Sequence, residues 1–222
     1  MTSNITKQYT DHIAAETLKA ALPGFDNIKR YWDKDNLCYA AKLFPGEYYV
    51  TTNNEIIVTT LGSCISVCIR DPIYGIGGMN HFMLPTQNLE YGSWTHPRVS
   101  LANRYGNYAM ENLINDILKN GGERRNLEVK IFGGGKILAQ MTDIGKRNIE
   151  FIKTYIETEG LSVSAEDVGN IYPRKVIYHP LSGKVKVKKL RSIQNNTIIE
   201  RETQYLEEIE NKPVTGDIEL FK

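Results

Sequence analysis

One short segment of this 222-residue chain carries residue types that suit nucleophilic catalysis. A run of β-forming residues at 55–61 is interrupted at Gly62-Ser63, immediately before Cys64. Such a break exposes a thiol at the end of a strand, and it leaves backbone N–H groups aimed at one point, which is what an oxyanion requires. The pattern predicts a candidate nucleophile at Cys64, with the N–H groups of Gly62, Ser63 and Cys64 beside it.

His81 is the candidate base for this thiol. It lies 17 residues after Cys64, at the start of the next apolar run, and a β-hairpin would bring the two side chains together. A histidine within hydrogen-bond reach lowers the pKa of a thiol and accepts its proton. The alternative is a buried structural cysteine, because free cysteine is among the most buried residue types. Spacing alone leaves both interpretations open.

Three other features of the sequence give no support for a further chemical site. The run 133–136, Gly-Gly-Gly-Lys, lacks the earlier glycine and the following Ser or Thr of a phosphate loop, so it predicts a tight turn. No CxxC or HxxxH pair is present, so no metal site is predicted. The basic run 184–191, KVKVKKLR, alternates valine with lysine, which is typical of a strand with one solvated face.

Composition excludes several classes of protein. The 27 basic and 26 acidic residues give a net charge of +1, which argues against nucleic acid or anionic lipid as a partner. A hydrophobic fraction of 41% is that of a folded domain. Three cysteines indicate reduced thiols rather than a disulfide framework. With no signal peptide or long apolar run in the sequence, we expect a cytoplasmic protein without membrane insertion.

The elements that must position Cys64 and His81 mix strands and helices without strict βαβ alternation, which predicts an α+β fold. Residues 1–45 are expected to be an appendage, and 86–98 a loop. The predicted strands are 48–52, 55–61, 64–69, 77–84, 127–132, 176–178, 185–190 and 217–221. The predicted helices are 11–22, 100–120, 148–159 and 201–210.

The segments TTLGSCISVCIRD (59–71) and GGMNHFMLP (77–85) resemble the signature of the chemoreceptor glutamine deamidases, the CheD family. That signature has a Thr before an LGSC box, then Asp, then Met-x-His-x-x-Leu-Pro. The similarity runs from 46 to 222. It continues at 132–135, at IGKRN (144–148), at Asp167, Gly169 and Arg174, at SGKV (182–185) and at GDIELF (216–221).

The resemblance implies mixed β-sheets in a sandwich-like core flanked by helices. It divides the chain into an N-terminal extension, 1–45, and a deamidase domain, 46–222. The implied reaction converts glutamine side chains of methyl-accepting chemotaxis receptors to glutamate and ammonia, and in some members it also hydrolyses receptor glutamyl methyl esters. No metal or organic cofactor is implied. In some bacteria a CheC-type phosphatase is a second partner.

The resemblance also assigns roles. Cys64 is the nucleophile, His81 the base, and a preceding threonine orients the imidazole. The family's threonine lies five or six residues before the cysteine; position 58 is valine, so the resemblance points to Thr59. Thr60 remains the alternative, because neighbouring side chains on a strand face opposite sides. Two other functions stay open: a non-catalytic adaptor that docks receptors or a phosphatase, and a cysteine hydrolase with a different amide substrate.

Overall fold

A computed structural model describes residues 18–85, 101–137, 144–190 and 195–211. The strands of these ranges are β1 (Lys29–Asp33), β2 (Cys38–Lys42), β3 (Tyr48–Thr51), β4 (Glu55–Leu61), β5 (Ile65–Asp71), β6 (Ile76–Asn80), β7 (Glu128–Gly133), β8 (Ser162–Val168), β9 (Arg174–His179) and β10 (Lys184–Lys189). The helices are α1 (Leu101–Lys119), α2 (Ile144–Thr158) and α3 (Asn195–Asn211). Of the predicted elements, the loop 86–98, the strand 217–221 and helix residues 11–17 lie outside the described residues, and 18–22 are not helical.

The strands form two five-stranded sheets, and both are mixed. The first sheet has the order β1-β2-β4-β9-β10, and the second has the order β3-β6-β5-β7-β8. The parallel pairs are β2 with β4 and β7 with β8. Side chains from both sheets, such as Ile57 and Tyr178 of the first and Ile65 and Ile69 of the second, belong to one buried cluster. The predicted α+β fold with mixed sheets is therefore confirmed.

The helices cover this core. Helix α1 packs across β3 and β6 and buries Met110, Leu113 and Ile117, while α2 buries Ile152 and Ile156. Helix α2 begins at Ile144, four residues before the predicted start at 148. In the described ranges we find no helix with the length and apolarity needed to cross a membrane.

Residues 29–42 are built into the first sheet. Strand β1 pairs with β2, and β2 pairs in parallel with β4, so that Ala40 lies beside Ile56. The guanidinium of Arg30 in β1 lies 2.9 Å from the buried carboxylate of Glu55 in β4. The predicted boundary at 45/46 therefore cuts through one sheet, because strands on both sides of it share backbone hydrogen bonds. β1 and β2 were not predicted from the sequence.

The basic run 184–191 contains the edge strand β10, which pairs with β9 alone among the described strands. Its lysines are mostly exposed, and Val185 and Val187 are half-buried. The alternation of valine and lysine therefore reflects a strand with one packed face and one solvated face, as predicted.

Candidate active site

Cys64 lies where the chain passes from one sheet to the other. Strand β4 of the first sheet ends at Leu61, and β5 of the second begins at Ile65. The three residues between them, Gly62, Ser63 and Cys64, form what we call the nucleophile loop. The predicted break at Gly62-Ser63 is thus a change of sheet, and it removes these residues from either ladder of hydrogen bonds.

A hairpin brings His81 to this loop, as the spacing predicts. Strands β5 and β6 are antiparallel, and Ile65 and Phe82 exchange two backbone hydrogen bonds of 2.9 Å. Cys64 and His81 each precede a member of that pair. The backbone of His81 is fixed on its other side, where its N–H donates to Glu47 and its carbonyl accepts from Gly46. Both side chains are buried.

Thr59 holds the imidazole of His81. Its hydroxyl oxygen lies 2.8 Å from Nδ1 of His81 and 3.0 Å from the carbonyl oxygen of Leu43. A hydroxyl has one hydrogen, so if it donates to Leu43 its oxygen accepts from the Nδ1–H. Nε2 then carries the lone pair, and it has no hydrogen-bond partner among the described residues. This tautomer leaves Nε2 free to accept a proton.

Thr60 does not reach the imidazole. It is half-buried, and it lies with Lys29 and Lys175 beside a pocket on the first sheet. The alternation of side chains along β4 therefore separates the two threonines, and Thr59 is the one that contacts His81.

The nucleophile loop directs its N–H groups at one carboxylate, that of Glu202 in α3. The N–H of Gly62 donates to Oε1 at 2.7 Å, and that of Cys64 donates to the same oxygen at 3.3 Å. The N–H and hydroxyl of Ser63 donate to Oε2 at 2.7 and 2.6 Å. The three N–H groups of the loop thus form an anion-binding nest, here filled by a side chain of the same protein.

Glu202 is a site residue that the sequence interpretation missed. It lies in the predicted acidic helix, but its carboxylate is buried at the nucleophile loop. The available signal was its position in a stripe of large apolar residues at helical spacing, between Ile198 and Leu206.

The carbonyl groups of the nucleophile loop are held on the opposite side. Gly134 N–H donates to Cys64 at 2.7 Å, and Gly135 N–H donates to Gly62 at 2.6 Å. A Cβ on Gly133, where φ is +116°, would lie 2.1 Å from the carbonyl oxygen of Cys64. The run 133–136 therefore supports the loop from the end of β7, and the closeness of Gly133 to it requires glycine there.

Asn148 of the IGKRN box completes this support. Its side-chain amide donates to the carbonyl of Ser63 at 2.9 Å, and its oxygen accepts from the N–H of Leu84 at 2.9 Å. The residue joins the nucleophile loop to the segment that follows His81. All three carbonyls of the loop are thereby occupied, which fixes the direction of its N–H groups.

The surroundings of Cys64 and His81 favour the neutral forms of both side chains. Burial raises the pKa of Cys64 well above its usual range, and the charge of Glu202 and its hydrogen bond raise it further. Burial, with a smaller contribution from Arg201, lowers the pKa of His81 to about 3. With α3 in place, the pair is therefore a thiol beside a neutral imidazole rather than an ion pair.

The same three side chains could be taken for a metal site. The ligand atoms of Cys64, His81 and Glu202 lie within 4.8 Å of one another. However, each carboxylate oxygen of Glu202 already accepts two hydrogen bonds, which uses the lone-pair positions that a cation would need. The donor arrangement therefore favours an anion in the nest over a metal ligand.

Cys68 has a different environment. It is buried within β5, opposite Met79 of β6, and its pKa is raised chiefly by burial. Cys38 is half-buried in β2. Neither lies in a loop between two strands beside a histidine, so Cys64 is the cysteine whose surroundings suit catalysis.

Comparisons with known proteins point to one family. A family profile described as CheD chemotactic sensory transduction matches residues 83–189. A protein of Halorhodospira halophila named probable chemoreceptor glutamine deamidase CheD is 55% identical over 205 residues, which is 92% of this chain and 95% of that protein. A protein of Hahella chejuensis with the same name is 51% identical over 201 residues, or 90% and 94% of the two chains.

Among solved structures, the hypothetical protein YfiH of Bacillus licheniformis superimposes on 55% of this chain and 50% of its own. The TM-score is 0.35 and the sequence identity 10%. A likeness this distant carries no argument about either fold or function.

Proposed function

The chain belongs to the CheD family, and from that premise we propose that it hydrolyses the side-chain amide of glutamines in methyl-accepting chemotaxis receptors, giving glutamate and ammonia. The observation that carries the proposal is the buried Cys64 beside His81, with an anion-binding nest built from the same loop. The relatives named chemoreceptor glutamine deamidase match almost the whole chain. The proposal includes a cytoplasmic location, activity on receptor glutamyl methyl esters, and a CheC-type phosphatase as a second partner.

The first half of the reaction forms a thioester. Nε2 of His81 accepts the proton of the Cys64 thiol as the sulfur attacks the glutamine Cδ. The carbonyl oxygen becomes an oxyanion and accepts hydrogen bonds from the nucleophile loop. The imidazolium then returns the proton to the amide nitrogen, so the carbon–nitrogen bond breaks and ammonia leaves.

The second half restores the enzyme. Nε2 of His81 takes a proton from water, whose oxygen adds to the thioester carbon. The tetrahedral intermediate collapses, and the sulfur leaves with the proton from the imidazolium. The products are a glutamate side chain and the free Cys64 thiol, so one water is consumed for each ammonia released.

Thr59 serves both halves as a positioning residue. Its hydroxyl oxygen accepts a hydrogen bond from the Nδ1–H of His81, and its O–H donates one to the carbonyl of Leu43, so the imidazole keeps the tautomer with a free Nε2. A neutral acceptor stabilises the imidazolium less than a carboxylate does, so its contribution to rate is moderate.

The alternative of a non-catalytic adaptor has no feature of the site in its favour. Binding alone requires neither the Thr59–His81 hydrogen bond nor a thiol beside a free Nε2. Incubation with cytoplasmic fragments of chemotaxis receptors tests the proposal, with ammonia release and mass spectrometry of receptor glutamines as readouts. Conversion of specific glutamines to glutamate is the expected result, and fragments that keep every amide while binding the protein would favour the adaptor.

A further inference from the structure

Helix α3 lies on the active site through one continuous face. Its buried side chains recur at helical spacing, with Glu202 in the middle of an otherwise apolar and aromatic set: Ile198, Glu202, Tyr205, Leu206 and Ile209. A buried carboxylate is costly unless it is fully hydrogen-bonded. Glu202 is only 1% exposed, and the nucleophile loop supplies all four of the donors described above.

The carboxylate occupies the place that the reaction needs. The N–H groups that receive it are those assigned to the oxyanion, and its oxygen lies within 4.8 Å of the Cys64 sulfur and a ring nitrogen of His81. A glutamate side chain is also the product of the proposed reaction. Glu202 thus has both the chemical identity and the surroundings of a product held after hydrolysis.

We call the surface that α3 covers the α3 groove. Phe44, Gly46, Gly62 and Tyr105 contact α3 there, and Ile137 lies beside Gly62. The ring of Tyr205 lies against Gly46, where a Cβ would come within 3.0 Å of it, and its hydroxyl hydrogen-bonds Tyr105. The guanidinium carbon of Arg201 lies 5.6 Å from the centre of the Phe44 ring, over its face.

We infer that α3 is an internal product mimic and that the α3 groove is where the substrate helix docks. This rests on the proposed function. The substrate segment is then an amphipathic helix whose glutamine enters the nest, with an aromatic or large apolar residue three or four positions later. Since Cys64 and His81 are 0% and 1% exposed, α3 must leave the groove before such a helix can react.

A rival interpretation makes Glu202 a third catalytic residue. A carboxylate in that role would hold the imidazole N–H, but Nδ1 of His81 is held by Thr59, and the hydrogen bonds of Glu202 go to the nucleophile loop. A carboxylate left in the nest would also repel the developing oxyanion. The two interpretations therefore differ in what happens when the acid at position 202 becomes an amide.

Glu202→Gln in the full chain converts the product mimic into a substrate mimic. Cys64 should add to the new amide carbon, release ammonia and form an internal thioester, which water then hydrolyses to glutamate. Peptide mapping by mass spectrometry should find the acid at position 202. Gln204 lies two residues later on the exposed side of α3 and should stay an amide in the same peptide. Cys64→Ala combined with Glu202→Gln should keep both amides.

An amide that persists at position 202, in a folded protein with Cys64 intact, would overturn the inference. If that protein still deamidates receptor fragments, the proposed function stands without it. Conversion at position 202 without any turnover of receptor fragments would keep the product mimic and reject the receptor as substrate.

A second measurement does not depend on the stability of that variant. Amide hydrogen exchange is followed in Cys64→Ala with and without a receptor fragment. Binding should speed exchange across 195–211, because the receptor helix displaces α3. Unchanged exchange in this segment on saturation with the fragment would show that the receptor docks elsewhere, and it would overturn the assignment of the groove.

Discussion

The hydroxyl oxygen of Thr59 lies 2.8 Å from Nδ1 of His81, although the two residues come from different sheets. Thr59 is in β4 of the first sheet, and His81 directly follows β6 of the second. This contact identifies Thr59, and not its neighbour Thr60, as the threonine that holds His81. From the sequence alone, only the offset in a family motif favours Thr59 over Thr60.

Thr59→Val should lower kcat on a receptor fragment by about 10- to 100-fold, which corresponds to about 1.4–2.7 kcal/mol. The reason is that valine cannot accept the Nδ1–H of His81, so the productive tautomer is no longer favoured. Thr60→Val is the matched control and should stay close to the wild-type rate. A larger loss in Thr60→Val than in Thr59→Val would contradict the assignment.

Cys64→Ala should abolish ammonia release, while Cys68→Ala should retain it. The first variant loses the nucleophile, and the second loses a sulfur that packs in the core, with a stability cost of about 1 kcal/mol. Both are measured on receptor fragments, with circular dichroism to establish folding. Ammonia production by Cys64→Ala above the no-enzyme rate would reject the thioester mechanism.

Glu202→Ala should speed alkylation of Cys64 by iodoacetamide and shift its pH dependence to lower pH. The pKa of the thiol is raised by burial and then by Glu202, and the variant removes the charge and weakens the docking of α3. A lower pKa raises the thiolate fraction at a given pH, and the thiolate is the form that iodoacetamide alkylates. Peptide mapping assigns the label to Cys64.

The matched control is Glu207→Ala, which removes an exposed carboxylate from the same helix. It should leave the labelling rate of Cys64 unchanged. Equal rates in Glu202→Ala and the wild type would mean that the thiol is not governed by this contact.

Stability should fall as the pH drops below about 6.5, the ordinary pKa of histidine. His81 has a folded pKa of about 3, so between these values the unfolded state binds a proton that the folded state does not. The free energy of unfolding is therefore unaffected by this histidine above the pKa of the unfolded state. Below that pKa it decreases by up to about 1.4 kcal/mol per pH unit, until the pH reaches the pKa of the folded state. Urea unfolding of the wild type and His81→Gln at near-neutral and mildly acidic pH measures it. Equal losses in the two proteins would argue against a neutral buried imidazole.

Deletion of residues 1–45 should destabilise the protein strongly. It removes β1 and β2, the ion pair of Arg30 with Glu55, and the Leu43 carbonyl that accepts from Thr59. Deletion of 1–17 is the control, since it keeps every contact described here. Thermal unfolding by circular dichroism distinguishes the two. A 1–45 deletion that unfolds at the wild-type temperature would show that these strands are dispensable.

The nucleophile loop and the hairpin could be predicted because their signals are local. A β run that breaks for Gly62-Ser63, followed by a cysteine, is visible within ten residues. His81 follows one hairpin later, and the Ile65–Phe82 bridge needs only antiparallel pairing of neighbouring strands. Local patterns of this kind predict both the elements and their side-chain directions.

Glu202 and β8 could not be predicted for opposite reasons. The contact of Glu202 with Ser63 spans 139 residues, and no local pattern encodes it. Strand β8 is local, but it forms the edge of the second sheet and is mostly exposed, so its sequence, SVSAEDV, has few apolar residues, and their alternation over the first five positions is a weak signal. Residues 29–42 fall inside the predicted appendage, 1–45, and their place in the first sheet depends on the pairing of β2 with β4, which passes over the intervening β3 in sequence and is not encoded locally.

The passage of the chain between sheets at 62–64 has a mechanical consequence. The residue that orients the imidazole is anchored in one layer of the sandwich, and the imidazole itself is anchored in the other. A slip of one layer against the other by a fraction of an ångström stretches the Thr59–His81 hydrogen bond before it breaks any strand pairing. Catalytic activity therefore depends on how the two sheets are aligned. Core substitutions far from Cys64 should lower the activity at temperatures where both sheets remain folded.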